Sequence, residues 1–142
     1  MIKGWSTKVL QALEFLHSRN IVHGELSCET IYINSNNGEI KVGDIGIKHI
    51  HTLSKSHELG SCRRYREEKG NLSVDVFCFG LTLLEIVAAS EISPGRFTLK
   101  YIIRIMNEDK KDELLNVLTY EPIREFLQLA LEDDPAKRYT VN

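Results

Sequence analysis

The stretch Val74 to Ala89, VDVFCFGLTLLEIVAA, constrains this chain more than any other, because it is apolar on nearly every face. A helix of that kind is either a membrane span or the buried axis around which other helices pack. Its greasiest run, Phe77 to Ala89, is interrupted by Thr82 and Glu85 and falls short of the roughly 20 residues that cross a bilayer. The expectation is therefore a central core helix with no membrane contact, and such a helix requires amphipathic partners.

The partners can be read from spacing. In WSTKVLQALEFLH, residues Trp5, Val9, Ala12, Leu13 and Leu16 recur every three or four positions and form one helix face, ended by Ser18 to Asn20. Leu99, Ile102, Ile103 and Met106 repeat the pattern, as do Ile123, Phe126, Leu127, Ala130 and Leu131 before the proline of DDPAKRYT. Thr30 to Ile33 and Glu39 to Val42 are short β-branched runs joined by NSNNG, whose Asn and Gly tolerate positive φ, so a β-hairpin is expected there. Lys48 to Leu72 holds few apolar anchors and reads as a long, mobile surface segment, and NEDKKDE reads as a solvated face. Trp5, Phe15, Phe77, Phe79 and Phe126 are expected in the core. The fold class is mainly α with a small β-hairpin.

Composition excludes several function classes. At 42% hydrophobic and 27% charged, the 142 residues are ordinary globular material and about one domain in length. A formal net charge of −2, from 18 basic and 20 acidic residues, gives no general attraction to nucleic acid or to an anionic membrane. Cys28, Cys62 and Cys78 are odd in number and lack CxxC spacing, which argues against a disulfide framework or a zinc site. With no basic and apolar leader at the start, a cytoplasmic location is expected. His49, His51, His57 and Cys62 are too irregularly spaced for a zinc set, and RRYR at Arg63 to Arg66 runs directly into Glu67 and Glu68, as a solvated loop would.

The chemistry-bearing residues lie in IVHGELSCETIYI, Ile21 to Ile33, and just beyond it. His23, Gly24 and Glu25, then Thr30, then Asp44, Ile45 and Gly46 stand at the spacing of the protein-kinase catalytic-loop signature, HRD, Asn and DFG. SVDVFCFG, Ser73 to Gly80, resembles the start of the central helix of the kinase large lobe, whose aspartate, here Asp75, braces that loop from below. Arg138 in AKRYT resembles the late arginine that pairs with the glutamate of the APE motif. NNGEIKVGDIGI, ELSCETIYI and EEKGNLSVDVFCFG look most like the with-no-lysine (WNK) serine/threonine kinases and the nuclear receptor-binding protein pseudokinases.

The resemblance implies a partial protein-kinase-like domain over residues 1–142: the helical C-terminal lobe, without the N-terminal β lobe, and with an activation-segment-like loop at about 44–72. It also implies ATP and magnesium as the cofactors of any active relative. Phosphoryl transfer is almost wholly positioning and electrostatics, so each replaced part matters. Glu25 stands at the base position with one methylene too many, and a misplacement of about 1 Å can cost on the order of 100-fold. Gly24 and Ser27 each lack a cation of the family pattern, and Thr30 replaces the amide oxygen that holds the second magnesium. Asp44 keeps a carboxylate that reads either as a magnesium ligand or as a loop cap.

His23 is expected to be structural, hydrogen-bonding backbone around a tight turn. Cys62, Arg63 and Arg64 fall near where APE should stand, which leaves Arg138 without its usual glutamate unless Glu67 or Glu68 reaches it. The resulting expectation is an inactive WNK-like kinase fragment that signals by binding protein partners, with no cofactor of its own and no nucleic-acid or membrane partner. Two alternatives stay open: an active serine/threonine kinase whose N-terminal lobe is encoded upstream, and a truncated gene model.

Overall fold

The computed structural model describes residues 2–24, 26–27, 30–33, 40–43, 59–68, 70–91 and 98–141. Helix α1 (Ile2–Ser18) is followed by strands β1 (Ile31–Ile33) and β2 (Ile40–Val42). Next come a 3-10 turn (Leu59–Ser61), the short helix α2 (Arg63–Glu68) and the long helix α3 (Leu72–Glu91). Helices α4 (Leu99–Asn107), α5 (Lys111–Leu115) and α6 (Glu121–Ala130) then precede a final 3-10 turn (Pro135–Lys137). The strands pair antiparallel with Ile31 opposite Val42 and Ile33 opposite Ile40, while the linking residues 34–39 lie outside the described set.

Local chemistry sets the helix ends. Asn20 adopts φ 57°, a left-handed conformation that asparagine tolerates, and Ile21 N–H turns back to the Leu16 carbonyl at 2.9 Å to close α1. Thr98 caps α4 with its hydroxyl accepting from Tyr101 N–H, which satisfies one of the first-turn donors that has no partner inside the helix.

Helix α3 is the axis. Val74, Phe77, Cys78, Phe79, Leu81 and Leu84 are fully buried within one continuous core. The helix is longer than the greasy run suggests: Leu72–Ala89 is by length and composition sufficient to cross a membrane, yet 72% of it is buried inside the protein. Burial by its neighbours, rather than shortness, makes it a core helix.

Its neighbours are stitched on by aromatic edges. Trp5 of α1 meets Phe79 at 6.1 Å between ring centroids, Phe79 meets Phe126 of α6 at 5.9 Å, and Phe126 meets Tyr139 at 5.2 Å. All three pairs are edge-to-face, the geometry that the ring quadrupole favours. Gly80 lets α3 and α6 approach closely, since a Cβ there would lie 2.9 Å from Leu131 Cδ2 and 3.1 Å from Ala130 Cβ.

Two readings of the sequence need correction. Phe15 is not in the core: it is 57% exposed, and the Arg19 guanidinium lies 3.8 Å above its ring. Residues 59–68 are not a loose surface segment, because Leu59, Cys62, Tyr65 and Glu68 are buried at a spacing of three along the turn and α2. A tyrosine between arginines and a glutamate stand out poorly as anchors, so the pattern of Leu59 and Cys62 is not seen to continue through them. The acidic-basic run is solvated as expected, with none of Asn107 to Glu113 buried, and the buried Leu114 and Leu115 of α5 lie just beyond it.

Candidate catalytic loop and its supports

The chain from Ile21 to Gly24 leaves α1 and meets the start of α3, where Asp75 is fully buried. Asp75 Oδ2 accepts the His23 backbone N–H at 2.8 Å and Oδ1 accepts the Gly24 backbone N–H at 2.9 Å. His17 Nε2 of α1 lies 2.9 Å from the same Oδ2. One carboxylate thus gathers the end of α1 and two successive loop amides, and charge-assisted bonds of this sort are the strong ones. Gly24 sits at φ 92°, which a residue with a side chain adopts only under strain.

The loop is also held from the hairpin. His23 is fully buried, with Nε2 2.6 Å from the Gly43 carbonyl oxygen. Gly43 N–H donates to the Thr30 carbonyl at 2.8 Å. The Thr30 hydroxyl turns inward: it accepts from Ser27 N–H at 3.0 Å and lies 3.1 Å from the Ser27 carbonyl, to which it donates. Glu25 and Asp44, the candidate base and the candidate magnesium ligand, lie outside the described residues, as do His49, His51 and His57.

From the other side, Tyr65 of α2 donates its hydroxyl to the Gly24 carbonyl at 2.6 Å. Reading the sequence misses this residue, since a tyrosine amid arginines looks solvated. It also misses His17, which sits at the end of an amphipathic helix with no mark of its partner.

Arg138 finds a carboxylate. Its Nη2 donates to Glu68 Oε2 at 3.0 Å and its Nη1 to Glu68 Oε1, while the Glu132 and Ser73 carbonyls accept from the same guanidinium. Arg138 also lies 5.1 Å from the Phe77 ring centroid. The partner is the last residue of α2, one helical turn beyond Arg64, where sequence reading looks for APE. Outside this pair, Arg63 Nη2 meets Asp109 at 3.2 Å and Arg64 Nη2 meets Asp133 at 3.6 Å. Cys62 precedes α2 in an apolar setting, and burial pushes its thiol pKa up.

An aspartate at the start of a buried helix bracing a loop, and an arginine–glutamate pair closing the next segment, are the supports anticipated from the kinase pattern. The whole chain, residues 1–142, matches the protein kinase domain. The chain belongs to the protein kinase family.

This kinase chain is 28% identical over 138 residues to serine/threonine-protein kinase WNK8 of Arabidopsis thaliana, covering 92% of this chain and 24% of that protein. It is 29% identical to the probable serine/threonine-protein kinase WNK9 of Oryza sativa subsp. japonica, covering 92% of this chain and 33% of the relative. To serine/threonine-protein kinase WNK4 of Homo sapiens it is 25% identical, over 99% of this chain and 12% of the relative. The chain therefore spans a third or less of the length of these WNK relatives. What the structure describes is helical with a two-stranded sheet, as a kinase C-terminal lobe is.

Proposed function

We propose that this kinase lobe transfers no phosphate and acts in cytoplasmic signalling by binding protein partners. The observation that carries the reading is the Thr30 hydroxyl, which is buried and committed on both its donor and acceptor sides to Ser27. A hydroxyl in that arrangement does not fit a magnesium ligand. The substitutions at Gly24, Glu25 and Ser27 point the same way, since they remove charge and displace the base in a reaction that rests on positioning.

The names of the WNK relatives support a second reading, in which an N-terminal lobe encoded upstream completes an ATP- and magnesium-dependent serine/threonine kinase. A thermal-shift titration of the purified protein with ATP and magnesium separates the two. Binding at a hundredfold excess over Kd raises stability by about 2.7 kcal/mol, a readily visible change in Tm. The inactive reading expects no saturable shift. A saturable shift that Asp44→Ala abolishes overturns it.

A further inference from the structure

Helix α2 is attached to the rest of the protein by contacts of different kinds, among them the Arg63 N–H donating to Asn107 Oδ1 at 2.9 Å. On its outer side, Arg63 with Asp109 and Arg64 with Asp133 are solvent-accessible pairs, weak and screened by salt. At its last residue, Glu68 is buried against Arg138. Between them, Tyr65 is 2% exposed and reaches 41 residues back along the chain to the Gly24 carbonyl.

The Gly24 end of that bond is unusual. Its N–H is held by Asp75 of α3 and its carbonyl by Tyr65 of α2, so one residue of the loop is gripped at both backbone polar groups by two different helices. The φ of 92° belongs to a backbone that aims these groups at separate partners. If α2 moved away, a buried carbonyl would lose this donor, which opposes the movement. The loop and α2 are thereby coupled through a neutral bond that needs no charge on either side and that salt does not screen.

We propose that Tyr65 is a positioning residue that latches α2 onto the catalytic loop through Gly24, fixing the backbone that leads into Glu25 whether or not the protein transfers phosphate. The latch needs no phosphorylation to close, and it persists at high salt when the outer ion pairs of α2 are loosened.

The test compares the wild-type protein with Tyr65→Phe, which keeps the ring and removes only the hydroxyl. With glycine carbonyl carbons labelled with carbon-13, the Gly24 signal shifts in the variant. The His23 and Gly24 amides exchange roughly tenfold faster with deuterium while those of α4 and α6 keep their rates. An unmoved Gly24 signal, or exchange accelerated equally throughout the protein, overturns the proposal. Should the variant not fold, the unsubstituted protein decides at about 1 M salt, where charges are screened within ~3 Å. There the two amides exchange only as slowly as those of the α3 core; exchange well ahead of α3 overturns it.

Discussion

Arg138 and Glu68 stand 70 residues apart in the chain and form a bidentate ion pair buried beneath α2, with the Arg138 side chain fully shielded from solvent. Removing one partner of such a pair strands the other charge, whereas removing both replaces it with packing. Arg138→Ala should therefore lower stability by about 3–5 kcal/mol, a large share of a small domain's total. The double change Arg138→Met with Glu68→Met should recover most of that loss. Urea denaturation followed by the fluorescence of Trp5, the single tryptophan, measures both.

Asp75→Asn should loosen the loop more than its small change in shape suggests. The amide offers one acceptor oxygen where the carboxylate offers two, and its NH2 group faces one of the N–H donors of His23 and Gly24. At least one buried backbone donor is orphaned, at a cost of about 1–3 kcal/mol. The His23 and Gly24 amides should then exchange faster than in the unsubstituted protein, and unchanged protection of both would show that Asp75 does not brace the loop.

Gly80→Ala should destabilise although alanine is the better helix former by about 1 kcal/mol. The added methyl would meet Leu131 and Ala130 of the α6 end at distances under ordinary contact, and overpacking costs typically about 1–3 kcal/mol. A melting temperature equal to or above the parent's would show that α6 gives way freely.

Burial raises the Cys62 pKa above its ordinary value, since the thiolate is the form that loses hydration. A raised acid favours the fold below the unfolded pKa, and that advantage disappears as pH climbs from roughly 8.5 through the folded value. Stability should fall in that alkaline window for the parent and less steeply for Cys62→Ala. Native Cys62 and Cys78, both buried, should also resist alkylation near neutral pH until the protein unfolds.

Much of the fold was legible because its elements declare themselves by period. Helix α3 is apolar all round, and α1, α4 and α6 each carry a stripe at three- and four-residue spacing. What escaped was whatever depends on partners distant in the chain. Tyr65 looks solvated among arginines, and its burial follows only once α3 and the loop exist to receive it, while Glu68 could be named only as one of two candidate carboxylates for Arg138. Phe15 erred the other way, because Leu13 and Leu16 already fill the inward face of α1 and the aromatic ring is left beneath Arg19. Of the candidate site, the spacing of His23, Thr30 and Asp75 could be read directly. The inward turn of the Thr30 hydroxyl could not, since a threonine rotamer leaves no mark in the sequence.

The grip of Asp75 on the loop falls on main-chain amides, groups that every residue but proline possesses. Its hold on position 23 is therefore indifferent to the side chain there, and at position 24 it asks only for a residue at ease with positive φ. A lineage could thus exchange the loop's reactive groups one by one without unmaking its shape: in such an architecture, catalysis and form are separately heritable.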